Sequence, residues 1–267
     1  MLISVVAPVF RECDNLALLH ERVVDALRVT GHAIELILVD DHSDDLSWSA
    51  IKRLVAEDPR TVGICLPRHV GQHATVLVGL MHARGAWCVS LDSDLQDPPE
   101  AIAALLDAAT GSDEVVFAGR FGTYQSFGRL LTGRAYRFVL CVLTGVPRDA
   151  GMFFALRRSA LPKLLSLPVG TPSLVAMIGL GGLKARSIKV ERARRTRGHG
   201  AYSWATRIAA GLRMLRCVFE AHWPNGRPPV RLLVGDTTLG AAVLDRRDSP
   251  SGRAMRAKRW YRERKAS

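Results

Sequence analysis

Paired cysteines are missing from this sequence. Its five thiols, Cys13, Cys65, Cys88, Cys141 and Cys217, lie far apart in mostly apolar surroundings, with no Cys-x-x-Cys pair and one left over. That spacing excludes a disulfide framework and reads as reduced, buried thiols in a cytosolic protein. A long apolar run is missing too. Only residues 164–183 approach membrane-span length without a charge, and they hold Pro168, Pro172, Gly170, Gly179, Gly181 and Gly182, which argues against a transmembrane helix. Residues 1–10 are apolar but carry neither a basic leader nor a cleavage site, so they read as a first strand rather than a signal peptide. Acid is the minority charge. Against 37 Lys and Arg stand 25 Asp and Glu, a net +12, which draws the protein to phosphates, anionic lipid or nucleic acid without choosing among them.

What is present is the composition of a folded globular chain: 48% hydrophobic and 23% charged residues over 267 positions, enough for one α/β catalytic unit and a tail. Short β-branched runs at residues 3–7, 34–39, 61–66, 87–91 and 114–118 alternate with amphipathic stretches at 15–29, 47–56, 71–83 and 98–109. This is the pattern of a parallel sheet covered by helices, in which ligands sit beyond the carboxyl ends of the strands. Basic amphipathic stretches follow at 126–144, with Arg129, Arg134 and Arg137, and at 204–219, with Arg207, Arg213 and Arg216. Such helices either lie on a membrane interface or cover the sheet. The expected division is a catalytic domain over residues 1–220 and a basic C-terminal tail over 221–267, interrupted by a short apolar segment at 230–244.

Polar clusters fall at the predicted strand ends. Asp92 and Asp94 follow an apolar strand, and the two-residue period of extended chain sends both carboxylates to one side. Two like charges so close call for a cation, and Mg²⁺ or Mn²⁺ on two carboxylates matches a diphosphate ligand. Asp97-Pro98-Pro99-Glu100 has the form of a capping box, so Asp97 and Glu100 read as helix starters. Asp40 and Asp41 end the second strand, where a carboxylate can accept hydrogen bonds from a nucleobase or ribose, while Asp44 and Asp45 read as turn or cap residues. Pro8, Phe10 and Glu12 stand where they can wall the same base, although alone they form an ordinary loop. His69 and His73 have a spacing that can ligate metal on a helix, but no third ligand accompanies them.

Taken together the chain resembles glycosyltransferase family 2, in its polyprenyl-phosphate branch of dolichyl- and undecaprenyl-phosphate sugar transferases. The matching text is Val6-Ala7-Pro8-Val9-Phe10-Arg11-Glu12, Leu38-Val39-Asp40-Asp41-His42-Ser43, and the run from Arg68-His69-Val70-Gly71-Gln72-His73 to Leu91-Asp92-Ser93-Asp94-Leu95-Gln96-Asp97-Pro98-Pro99-Glu100. Further on come Gly119-Arg120, Asp149-Ala150-Gly151 and Arg195-x-x-Gly198-x-x-x-Tyr202-Ser203, so the likeness covers residues 2 to 219. Arg11 stands where the family usually has Asn, and His42 where Gly is usual.

The resemblance implies a GT-A fold, a Rossmann-like nucleotide-binding sheet flanked by helices. It implies Pro8, Phe10, Glu12 and Asp41 around the nucleotide, Asp92 and Asp94 at the metal and diphosphate, and Gln96 near the sugar or acceptor. Arg120, Arg134 and Arg195 are implied to face phosphate. The expected activity is inverting transfer of a sugar from a nucleoside-diphosphate donor to a polyprenyl phosphate, with Mg²⁺ or Mn²⁺ as cofactor. Were the acceptor a hydroxyl of a small metabolite or glycan, Asp149 is the candidate base. A reading of another class is a basic membrane- or nucleic-acid-binding protein on an inactive transferase scaffold. The expected location is cytoplasmic, with peripheral contact to an anionic membrane surface and no nucleic-acid partner.

Overall fold

A computed structural model describes residues 1–121, 127–191, 204–230 and 241–245. In it the alternating runs become strands β1 Leu2–Val9, β2 Ala33–Asp40, β3 Thr61–Cys65, β4 Trp87–Ser90 and β5 Val115–Phe121. Between them run helices α1 Leu16–Arg28, α2 Ser47–Glu57, α3 Gln72–His82 and α4 Ala101–Asp107. The chain continues through α5 Phe127–Thr144, β6 Phe154–Arg157, α6 Leu161–Leu165, α7 Leu174–Leu180, β7 Ala185–Glu191, α8 Trp204–His222 and β8 Ala242–Leu244. Among the described residues the sheet has the order β7-β5-β6-β4-β1-β2-β3-β8. β1 to β4 pair in parallel, β6 runs antiparallel between β4 and β5, and β8 lies antiparallel on the β3 edge.

Strand alternation divides the core between the two faces. On one face Ile3, Val5, Ala7 and Val9 of β1 pack with Leu16, Leu19, Ile51 and Ile102 of α1, α2 and α4. On the other, Val6, Ile37, Val39 and Ile64 meet α3, α7 and α8 through Val76, Leu77, Met177 and Cys217. Residues Thr75 to Leu80 of α3 are all buried, because the sheet covers one side of the helix and α7 the other. A Cβ on Gly79 would overlap Val6, so glycine sets how closely this helix lies on the sheet.

The capping box does not form. α4 begins at Ala101, whose N–H bonds to the carbonyl of Pro98 at 3.0 Å, so Glu100 takes the N-cap position and no side chain caps the helix. Asp97 is drawn inside, 2% exposed, while the Glu100 carboxylate accepts from Arg22 of α1 at 2.9 and 2.7 Å. Asp45 does act as a turn residue, its Oδ1 accepting the Ser47 N–H at 2.9 Å. The five cysteines are free; Cys88 and Cys217 are buried, whereas Cys13, Cys65 and Cys141 are half-buried, a correction to the expectation for those three. No helix among the described residues is long and apolar enough to cross a membrane.

Candidate active site at the strand ends

Because β1 to β4 are parallel, their following loops all emerge at one rim. The order β4-β1-β2-β3 puts the change of winding direction between β1 and β4, the crevice where sheets of this kind take ligands. β6 enters the sheet antiparallel, so the residues before it, Asp149 among them, return to the same rim.

Asp92 and Asp94 lie just past β4. The strand stops at Ser90, so the extended geometry expected to align the two acids has given way to a turn at Ser93 and Asp94. The alternation of burial nevertheless persists: Leu91, Ser93, Leu95 and Asp97 are buried while Asp92, Asp94 and Gln96 stay half-exposed. Leu95 achieves this at φ 62°, in the left-handed region that a leucine enters only at a cost of about 1–2 kcal/mol. Asp94 Oδ1 accepts the Gln96 N–H at 3.1 Å. Gln72, the first residue of α3, donates its Nε2–H to Asp92 Oδ1. Among the described residues no three His, Cys, Asp or Glu gather as a ready-made metal cage. A pair of carboxylates at an open rim fits Mg²⁺ or Mn²⁺, whose remaining ligands come from phosphate and water.

The loops after β1, β2 and β3 interlock. Asp41, 2% exposed, accepts the N–H groups of Val70 and Gly71 at 2.7 and 2.8 Å and lies 3.0 Å from His69 Nδ1. Burial pushes its carboxyl above the usual range, against the downward pull of Val70, His69 and Gly71. Asp40 accepts from Ser43 N–H at 3.3 Å and from the Cys65 thiol at 3.4 Å, and burial and that carboxylate push Cys65 up to about 12. Phe10 is exposed, and its ring stands 4.5 Å from that of His69, so an aromatic wall flanks the Asp41 loop. Glu12 accepts from Asn15 Nδ2 at 2.5 Å, and Pro8 is half-buried at the end of β1. Beside this wall, Arg11, Glu12, Asn15 and Asp45 line a cavity of about 300 Å³ that does not reach Asp92 or Asp94. Arg11 and His42 sit at φ 56° and 61°. That is the conformation Asn and Gly enter most readily, a physical reason for those residues in the family pattern.

Asp149 lies against Gly119 at the end of β5, so close that a Cβ on Gly119 would collide with its Oδ2 and with Ser187 Oγ of β7. His69 and His73 share no metal. His69 joins Asp41, whereas His73 Nδ1 accepts the Leu174 N–H at 3.2 Å at the start of α7. The side chains of Arg120 and Arg134, and all of Arg195, Tyr202 and Ser203, lie outside the described residues. Sequence inspection overlooked Gln72 as a partner of Asp92; its position inside the matched Gly71-Gln72-His73 string was the available signal.

Comparison with known proteins bears on the family and the fold. The family described as "Glycosyl transferase family 2" matches residues 4–165. An undecaprenyl-phosphate 4-deoxy-4-formamido-L-arabinose transferase from Pseudomonas paraeruginosa is 32% identical over 235 residues, covering 87% of this chain and 67% of its own. The protein of that name from Proteus mirabilis is 30% identical over 249 residues, covering 91% and 74%. The chain thus spans about two thirds to three quarters of the length of these relatives. Among solved structures, a mannosyltransferase from Pyrobaculum calidifontis in complex with GDP-Man and Mn²⁺ superposes with a TM-score of 0.56 at 20% identity, over 86% of this chain and 66% of the other. A glucosyl-3-phosphoglycerate synthase from Mycobacterium tuberculosis, with Mn²⁺, UDP and phosphoglyceric acid, gives 0.55 at 21% over 85% and 79%. With a GT-A sheet whose rim gathers the acids of β1, β2 and β4, the chain belongs to glycosyl transferase family 2.

Proposed function

We propose that this glycosyltransferase moves a sugar from a nucleoside diphosphate to a polyprenyl-phosphate-type lipid, with inversion at the anomeric carbon and with Mg²⁺ or Mn²⁺ held by Asp92 and Asp94. The observation that carries this is the pair of half-exposed acids at the sheet's switch point, one of them oriented by Gln72. When bound, the cation supplies neutralisation of charge on the departing diphosphate. Phe10 and His69 offer an aromatic wall for the base, and Asp41, having fastened residues 70 and 71, retains lone pairs for a nucleobase or ribose. The acceptor oxygen attacks from the face opposite the diphosphate, and the bond to the diphosphate breaks with its electron pair leaving on oxygen. A lipid phosphate is already ionised and needs no base, so Arg120, Arg134 and Arg195 are assigned to hold it in line.

A lipid acceptor is supported by the likeness to undecaprenyl-phosphate sugar transferases and by the surface of α5 and α8. Phe138, Val139, Val142 and Leu143 of α5 are exposed, as are Ile208, Leu212, Leu215 and Phe219 of α8 and Trp223 just after it. On α8 the spacing forms one stripe, with Arg216 exposed beside it and Trp223 stacked on Phe219 at 5.1 Å. Apolar stripes with basic flanks on a chain of net +12 suit an anionic membrane surface.

A hydroxyl acceptor is the second reading, favoured by the seat of Asp149 against Gly119, where a carboxylate can serve as base. Labelled UDP- and GDP-sugars offered with undecaprenyl phosphate or with small hydroxyl acceptors, with and without chelator, separate the two. Product on the lipid that is abolished by chelator and by Asp92→Asn is the expected result. Transfer to hydroxyls alone overturns the lipid assignment, and chelator-resistant transfer overturns the metal.

A further inference from the structure

Arg213 lies on the packed side of α8, one turn before the buried Cys217 and two turns before the buried Glu220. Its guanidinium reaches the start of α3, where Nη1 is 3.5 Å from the position a Cβ on Gly71 would take. Gly71 precedes Gln72, the residue that holds Asp92, so an arginine from the far end of the chain stands beside the diphosphate rim. Among the described residues no carboxylate forms an ion pair with it. The nearest acid on its own helix face, Glu220, is taken by Arg216 at 2.9 Å and by the N–H groups of Gly170 and Thr171 at 2.7 and 2.9 Å. His73 is neutral near pH 7, pushed down to about 4 by burial and then by the charge of Arg213. With Nδ1 accepting the Leu174 N–H, its other ring nitrogen carries the hydrogen, so it offers the arginine no counter-charge.

A half-buried cation facing protein without a counter-ion lowers stability unless an anion completes it. The guanidinium fork matches phosphate oxygens in geometry as well as charge. We propose that Arg213 binds a phosphate group of a reactant beside Asp92, the group belonging either to the donor diphosphate or to the acceptor. This rests on the transferase reading above and adds to it a residue outside the Arg120, Arg134 and Arg195 set.

The test compares the full-length wild type with Arg213→Gln and Arg213→Lys in three measurements. These are calorimetric binding of UDP and GDP with Mn²⁺, the KM for undecaprenyl phosphate, and the melting temperature without ligand. The expected result for Arg213→Gln is a loss of about tenfold or more in one of the two affinities, as removal of a charge-assisted hydrogen bond gives. Arg213→Lys recovers part of that loss, and the ligand-free melting temperature holds or rises. Weakened nucleotide binding identifies the donor phosphates as the source, and a raised acceptor KM identifies the lipid phosphate. The proposal is overturned if both affinities stay within about twofold of wild type, or if both fall together with the melting temperature and Lys restores nothing, the signature of a structural arginine. If the wild type itself takes up no nucleotide with Mn²⁺ and uses no lipid phosphate, the transferase reading has failed before Arg213 is reached.

Discussion

Gln72 offers the sharpest perturbation of the proposed metal site that leaves its acids intact. It donates to Asp92 Oδ1 from the first position of α3 and thereby fixes how that carboxylate faces the rim. Hydrogen bonds to charged groups contribute about 1.5–3 kcal/mol, which at about 1.4 kcal/mol per decade corresponds to roughly 10- to 100-fold in an equilibrium constant. Loss of a partner that orients a metal ligand commonly costs metal affinity in that same range. Gln72→Ala is therefore expected to weaken Mn²⁺ binding by about 10- to 100-fold, read by titrating Mn²⁺ into protein saturated with nucleoside diphosphate. Alanine is a better helix former than glutamine, so α3 itself is not weakened and the ligand-free melting temperature should hold. Nucleotide binding in the absence of metal should also be unchanged, since Gln72 has no part in the Phe10 and His69 wall. A Mn²⁺ affinity within about twofold of wild type refutes Asp92 as a ligand that Gln72 orients.

Four other outcomes are expected. Gly119→Ala pushes the Asp149 carboxylate aside, and because displacement of about 1 Å can cost on the order of 100-fold in rate, turnover should collapse while Mn²⁺ and nucleotide still bind if Asp149 is the base. With a lipid phosphate as acceptor the same variant should keep most of its turnover. His73 sits at about 4 in the folded state against 6.5 in the unfolded chain, so below pH 6.5 only the unfolded state takes up its proton. Its contribution to stability is complete above pH 6.5 and falls by up to about 3 kcal/mol as pH drops to 4, a loss that denaturant titrations should find absent in His73→Gln. His42→Gly removes the strain of φ 61° but also the contact of His42 Nδ1 with the Leu66 carbonyl at 3.3 Å and stiffness in the unfolded chain, so stability in urea unfolding should change by less than about 1 kcal/mol. Replacing the exposed Leu212, Leu215 and Phe219 together by Ser should lower sedimentation with anionic vesicles by about tenfold or more without moving the melting temperature, whereas an unchanged bound fraction removes α8 from the membrane contact.

Periodicity and local chemistry determined most of the first half of this protein. The five β-branched runs became β1 to β5 and the stretches between them α1 to α4, because short continuous β-branched runs suit strands covered on both faces, while the amphipathic stretches bury one side of a helix. Parallel winding then sent Phe10, Asp41 and Asp92 to a common rim, which is why strand-end polar clusters were legible as a candidate site. Where a local signal competed with a distant partner, the partner won. The Asp97 to Glu100 string has the letters of a cap, yet α4 starts only at Ala101, Asp97 is buried, and Arg22 on another helix takes the glutamate. No local pattern announces that β6 inserts antiparallel and returns Asp149 to the rim, or that residues 242–244 pair with β3. Nor does one announce that Gln72 grips Asp92, that His73 meets Leu174, or that Arg213 reaches Gly71. Those contacts join residues 20 positions apart or more, and only closure of the sheet and the docking of α7 on α3 and of α8 on α7 bring them within reach.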